Sequence, residues 1–267
     1  MREITYFKLP FVSFIFCCVG MCFFIPSVSL ADEPALEYYE VRIYKIYDFE
    51  KQKIADDYLR DALLPALNRQ KIEKVGAFHN LKDKNDHSIY VVIPFSNLES
   101  FSNYNQKLAA DTEYQEAGKK YLQREKGDGI FDRIESRFLK AFKSIPQMEL
   151  ADYSKNKTDG RIFELRLYES HTEHHARQKV KMFDTGETQL MRDVKMNPVF
   201  FGETLAGPDL PNLVYMLSAK SLADHEQHWK DFLKSDGWKN MKDLPEFKDT
   251  VSKIKKWHLK PTPYSQF

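Results

Sequence analysis

The sequence predicts an α+β protein made of two tandem units, each running strand, helix, strand, strand, helix, strand. Three observations carry this. The stretch Tyr39-Glu40-Val41-Arg42-Ile43-Tyr44 has a twin, Phe163-Glu164-Leu165-Arg166-Leu167-Tyr168, 124 positions later. Other landmarks keep that offset without a gap: Val75, Leu81 and Leu98 stand against Val199, Leu205 and Leu222. The apolar periodicities also follow one another in the same order in both halves, which is how an internal duplication reads.

The elements follow in order. Strict alternation over Tyr39–Tyr44 predicts a strand with Glu40, Arg42 and Tyr44 on one face and Val41 and Ile43 on the other. Ile54, Tyr58, Leu59, Leu63 and Leu67 recur at helical spacing, so residues 49–73 read as a helix that Pro65 kinks or splits. Strands are expected at Val75–His79 and Ile89–Phe95, on either side of a polar turn over 82–87. A second helix starts at Leu98, capped by Ser96 or Asn97, and more helix follows Asp111. A last strand is expected near Arg137–Phe142. Ser144–Gly160, with Pro146, Asn156, Asp159 and Gly160 among charges, reads as a linker. The second unit repeats the order: strand Phe163–Tyr168, helix over 173–195, strand Val199–Glu203, turn Gly207-Pro208-Asp209, strand Leu213–Ala219, helix Leu222–Leu233, and a strand near Trp257–Lys260.

The order βαββαβ is the ferredoxin-like layout, with helices on one face of the sheet and the other face bare. Two such sheets can pack bare face to bare face. Val41 and Ile43 suit the helix side, so Glu40, Arg42 and Tyr44 are expected to face the partner sheet.

The first 31 residues read as a secretory leader. Arg2 and Lys8 precede an apolar run from Phe11 to Ile25, and Ser29-Leu30-Ala31 offers a small-x-small cleavage site. The run is short of the ~20 residues that span a bilayer. An exported protein, periplasmic or extracellular, is therefore expected, with no membrane contact after cleavage. Domains are expected at 32–143 and 161–267, joined by 144–160. Cys17, Cys18 and Cys22 all lie in the leader, so a cysteine nucleophile or a cysteine-ligated zinc is excluded from the remainder. Removing Arg2, Lys8 and Glu3 from the 40 basic and 39 acidic residues leaves the charges balanced. Nothing in that balance points to nucleic acid or an anionic membrane. Two small units of this size need to bury surface against each other, and a homo-oligomer is compatible with the pattern.

Taken together, the Glu-x-Arg-x-Tyr strand, Trp229/Phe232 followed by Asp236/Trp238, and the close Lys260-Pro261-Thr262-Pro263-Tyr264-Ser265 resemble the NIPSNAP family. The resemblance covers both units, the second better than the first, where Asn105 and Tyr114 stand for Trp229 and Trp238. It implies a dimeric α/β barrel built here within one chain. The wider relatives of that fold include cofactor-independent monooxygenases and haem-degrading enzymes, and some members are tied to protein interaction. It supplies no catalytic residues.

Candidate site residues follow from the residue types. If both opening strands line the barrel, Glu40, Arg42, Tyr44, Glu164, Arg166 and Tyr168 share one space. There Arg can clamp a carboxylate or enolate, Glu can take a proton and Tyr can donate to an oxyanion. The same residues can instead close a buried ion-pair network that fixes how the units dock. His225 takes the apolar-face position of Phe101, beside Trp229, and reads as a satisfied core histidine or as a substrate or haem contact. No cofactor is expected otherwise. His171 and His175, four apart at a helix start, are the candidates for a metal, with a solvated cluster as the plainer reading. Phosphate-binding glycine loops, the Gly-x-Ser-x-Gly elbow and His-Glu-x-x-His are absent, which disfavours serine or zinc hydrolysis. The expected function is small-molecule binding or oxygenase-like chemistry in a pocket between the units. A non-catalytic interaction module, which needs an exposed apolar patch, and a haem-binding barrel are the alternatives.

Overall fold

Strand β1, Tyr38–Ile46, sits at the centre of the first unit's sheet, and β5, Ile162–Glu169, at the centre of the second. The structure, a computed structural model, describes residues 35–267. The expected leader, its cleavage site and its cysteines lie outside the described residues. Among the described residues no helix is long and apolar enough to cross a membrane.

The first unit continues with α1 (Phe49–Tyr58), a π-helical turn at Leu59–Leu63, α2 (Leu64–Arg69), β2 (Gly76–Asn80) and β3 (Ile89–Phe95). It ends with α3 (Leu98–Ala110), α4 (Thr112–Ala117), α5 (Lys119–Leu122) and β4 (Phe131–Ala141). A short helix, α6 (Asp152–Lys155), interrupts the expected linker. The second unit then runs from β5 through α7 (Glu173–Met182), a π-helical turn at Phe183–Glu187, α8 (Thr188–Asp193), β6 (Asn197–Ala206) and β7 (Asn212–Ala219). It closes with α9 (Leu222–Lys234), α10 (Asp236–Lys242) and β8 (Lys253–Pro261). The last strand of each unit begins earlier than its apolar residues suggest, because the added residues pair along the neighbouring opening strand.

The expected split of the first helix at Pro65 occurs, and the π turn ends just before the proline. A wide turn lets the chain absorb a residue that cannot donate to the helical ladder. The second unit has its π turn at the equivalent place with Gln189 where the first has Pro65. The turn therefore belongs to the fold rather than to the proline.

Eight antiparallel strands close in the order β1-β3-β2-β8-β5-β7-β6-β4. Each unit alone would leave β2 and β4, or β6 and β8, as open edges. Here β2 pairs with β8 and β4 with β6, so no edge remains to recruit another strand. At the β4–β6 seam the backbones approach closely. A Cβ on Gly202 would meet Leu139 Cβ at 2.8 Å.

The barrel interior is apolar and shared by both units. Tyr39, Val41 and Ile43 pack there with Leu165, Leu167 and Val214. Phe78 of the first unit meets Phe163 of the second at a ring separation of 5.0 Å, and Tyr39 meets Phe200 at 4.8 Å. Two further cores lie outside the barrel wall, one under the helices of each unit, and contain Tyr44 and Tyr168 respectively.

This reverses the expected faces of the opening strands. Glu40, Arg42, Tyr44, Glu164, Arg166 and Tyr168 do not line a space between the sheets. They point outward, beneath their own helices, while Val41, Ile43, Leu165 and Leu167 fill the interior. The physical reason is desolvation. The facing sheet offers only apolar partners, whereas the helices bring hydroxyl, indole and imidazole groups that satisfy a buried charge.

Candidate functional site

In the first unit the outward network is closed. Arg42 Nε donates to Glu40 Oε1 at 2.6 Å and its Nη1 to Tyr44 Oη at 3.2 Å, while Nη2 meets Tyr104 Oη. Tyr104 Oη donates to Glu40 Oε2 at 2.8 Å and Ser136 Oγ to Oε1 at 2.7 Å. Above them Phe101 of α3 stacks on Phe138 of β4, ring centroids 3.8 Å apart. Burial works against the Arg42 charge, but Tyr44 and Glu40 outweigh it and hold the guanidinium well above its ordinary range. Every guanidinium nitrogen is engaged and an aromatic pair seals the top.

In the second unit the same strand positions meet different partners. The Ser221 side chain caps α9 by accepting from the Asp224 backbone. From there His225 and Trp229, four apart, fall on the helix face that meets the sheet. His225 Nε2 lies 3.0 Å from Glu164 Oε2, and Trp229 Nε1 donates to the same oxygen at 2.9 Å. His258, opposite Glu164 on β8, turns its Nε2 to Glu164 Oε1 at 3.8 Å. Glu164 and His225 are 1 % and 2 % exposed. Burial alone would raise the Glu164 carboxyl. The hydrogen bond from His225 and the charge of Arg166 more than offset it and bring the group down to about 2.

Arg166 differs most from its counterpart. Its Nη1 stands 3.4 Å from both Glu164 oxygens, and its Nε is buried without a partner among the described residues. The guanidinium rests instead on Trp229, 4.2 Å from the ring centroid, and faces Tyr168 at 5.4 Å. Such contacts hold the position of the charge without consuming its donors. Tyr168 Oη is 2.8 Å from Tyr215 Oη, and beyond it Lys179 and Glu187 form a buried ion pair at 2.6 Å.

A cleft of about 640 Å³ opens on the same outer face, where β2 and β8 join the two units. Lys157, Arg161, Lys260 and His79 border it against a single Asp159. Ile162 of β5 and Lys260 of β8 are among the residues that line it. They are two residues from Glu164 and His258 on the same faces of β5 and β8, so the cleft and the cluster lie along one outer surface, although no cluster residue lines the cleft.

The sequence-derived residues thus fall into two groups, one under each unit's helices. Glu164, Arg166, Tyr168, His225 and Trp229 come together, and Glu40, Arg42 and Tyr44 form a separate network. His171 is exposed and His175 half-buried, with His175 Nδ1 taken up by Thr172 Oγ1 at 2.8 Å. They do not join the buried cluster. Among the described residues, the group that brings three potential metal ligands together is Glu164, His225 and His258. His225, the candidate haem or substrate contact, directs its Nε2 at Glu164 within a packed core. His258 was missed by sequence reasoning. Its signal is the paired exchange of Phe101 and Phe138 for His225 and His258, visible only once the last strands are aligned.

The family model described as NIPSNAP matches residues 39–146 and 163–266. Solved structures share the fold. A putative monooxygenase from Lactobacillus acidophilus NCFM is 12% identical, with a TM-score of 0.55 over 85% of this chain and 94% of that one. A putative monooxygenase from Fusobacterium nucleatum is 11% identical, with a TM-score of 0.55 over 85% and 93%. An anthrone oxidase-like protein is 9% identical, with a TM-score of 0.51 over 85% and 91%. At these identities the likeness is one of fold. No curated protein matches the chain.

Proposed function

The chain belongs to the NIPSNAP family as two tandem domains, and from that premise we propose that it binds a small organic anion with the charged cluster of the second domain, in a cleft shared with the first. The anion lies in the cleft at the β2–β8 seam, with its charged head toward Arg166 and His258. The observation that carries this reading is the contrast between the two arginines. Arg42 spends every nitrogen on its own network, while Arg166 keeps an unpaired Nε and is positioned by an indole face. Spare guanidinium donors farther along a strand that borders a cationic cleft suit a carboxylate or an enolate oxygen.

The same site has the parts for proton transfer. Glu164 and His225 share a short contact, and His258 stands nearer to solvent. Oxygenase-like chemistry on the bound anion is the finer form of this reading. It is supported by the described names of proteins that share the fold and by no residue correspondence. The large exposed apolar side chains, including Tyr47, Leu98, Leu205 and Leu233, lie on separate elements. That is ordinary surface scatter and does not favour an interaction module.

The test is calorimetric titration of the chelator-treated protein with benzoate, salicylate and octanoate, and with their neutral amides. The acids are expected to bind and the amides not. Lys260→Glu and Arg166→Gln are each expected to weaken binding about tenfold or more, a loss of about 1.4 kcal/mol. Arg42→Gln is expected to leave the affinity unchanged. Equal binding of acids and amides, or equal effects of the two arginine substitutions, would remove the proposal.

A further inference from the structure

We propose that Glu164, His225 and His258 form a binding site for a divalent transition metal, of the class of zinc or ferrous iron, in the second domain only. The inference deepens the reading of the same cluster, but it does not depend on what the neighbouring cleft holds.

The geometry comes first. One oxygen of Glu164 and one ring nitrogen from each histidine lie within 4.8 Å of one another. Metal–nitrogen and metal–oxygen bonds of about 2.0–2.2 Å place neighbouring ligand atoms about 3.0–3.5 Å apart. His225 Nε2 and Glu164 Oε2 already stand at 3.0 Å, and His258 Nε2 is 3.8 Å from Glu164 Oε1. A small rotation of the His258 ring closes the set. Its side chain makes no hydrogen bond among the described residues, so that rotation breaks none, and the ring packs edge-on against His225 at 5.7 Å.

The donor set is chemically selective. Two imidazoles and one carboxylate suit zinc, ferrous iron and their neighbours and do not suit calcium or magnesium, which want oxygen ligands. The ligands come from β5, β8 and α9, three elements of the folded core, so the site is held before the metal arrives. Trp229 Nε1 stands 2.9 Å from Glu164 Oε2 and 3.1 Å from His225 Nε2, so it holds both groups together and gives up the nitrogen when a metal binds there.

The first domain supplies the internal contrast. There the glutamate is Glu40, and its neighbours are the stacked rings of Phe101 and Phe138. Both rings are histidines in the second domain, at positions that face the same carboxylate. A single Phe-to-His exchange is satisfied by one hydrogen bond, and His225 has that bond. The second exchange puts His258, half-buried, beside the same glutamate without a hydrogen bond to protein among the described residues. Arg166, near the carboxylate, adds positive charge, so a bound metal favours an anionic co-ligand on that side.

The test uses the full chain without an affinity tag, stripped by a chelator and titrated with cobalt(II). One equivalent is expected to bind and to give the visible absorption of a low-symmetry cobalt site, which zinc then abolishes. His258→Phe and His225→Phe, the first-domain residues, are each expected to lower the affinity at least about 100-fold. His258→Gln serves if the phenylalanine variant does not fold. His171→Gln/His175→Gln is expected to leave the spectrum intact. Absence of stoichiometric binding, or loss of it in the His171/His175 variant instead, overturns the proposal. Anion binding by the stripped protein is unaffected by either outcome.

Discussion

His258 occupies in the second domain the place that Phe138 holds in the first, each paired across the sheet with the glutamate of its domain's opening strand. This is one of several exchanges, with Tyr104 to His228, Phe101 to His225 and Asn105 to Trp229, that separate a sealed network from one with unused donors. The difference is measurable without any ligand. Glu40→Gln leaves Arg42 buried without its counter-charge and is expected to cost about 3–5 kcal/mol. His225→Phe removes one charge-assisted hydrogen bond, while Trp229 and Arg166 still serve Glu164. It is expected to cost about 1.5–3 kcal/mol. Urea unfolding of the two variants checks the order, and a larger loss for His225→Phe would contradict it.

Lys179 and Glu187 form the other buried charge pair, side chains 4% and 3% exposed and 2.6 Å apart. Burial pushes the Glu187 carboxyl up, and the neighbouring ammonium acts against that rise. The first domain has Ala55 and Leu63 at the equivalent positions. Lys179→Ala alone strands a carboxylate and is expected to destabilise by about 3–5 kcal/mol. Lys179→Met/Glu187→Leu replaces both charges with apolar volume and is expected to recover most of that loss. A double-mutant cycle from urea midpoints measures the coupling, and additive effects would mean that the pair is not coupled.

The duplication and the order of strands were legible in the sequence, because each rests on spacing along the chain. The facing of β1 and β5 was not. Alternation says which side chains share a face, but both faces of these strands are covered, and the pattern does not say by what. A charged face looked suited to a partner sheet until the helices were seen to bring Tyr104, His225 and Trp229 onto it. His258 was hidden for a related reason. The last strands are short of motif residues and out of step with the offset that aligns the rest, so Phe138 and His258 did not line up by counting.

Asp86 gives a pH dependence. It accepts from Tyr90 Oη at 2.6 Å, from Asn80 Nδ2 at 2.9 Å and from the Ser88 backbone at 3.0 Å, closing the turn between β2 and β3. Burial would raise its pKa, but the bonds from Ser88, Tyr90 and Asn80 outweigh burial and lower it below the ordinary 3.8. A carboxyl lowered by folding stabilises the native state above its unfolded pKa. That contribution is lost as pH falls below 3.8 toward the folded value. The urea midpoint of the native chain is therefore expected to fall more steeply through this range than that of Asp86→Asn. Parallel curves would remove Asp86 as a source of acid sensitivity.

The barrel interior separates the outer-face site from a pocket between the sheets. Phe163 is fully buried there, against Phe78 and Phe267 at 5.0 and 5.8 Å. Phe163→Ala opens a cavity between the domains and is expected to cost about 3–5 kcal/mol of stability. It touches neither Arg166 nor the cleft, since alternate residues of β5 face opposite ways. At a temperature where the variant is fully folded, its affinity for benzoate is therefore expected to match that of the native chain. A ligand held between the sheets would respond in the opposite way. The variant would then bind it differently, through lost contacts or an enlarged space, while Lys260→Glu on the outer face would have no effect. Calorimetry on these two variants discriminates the two locations.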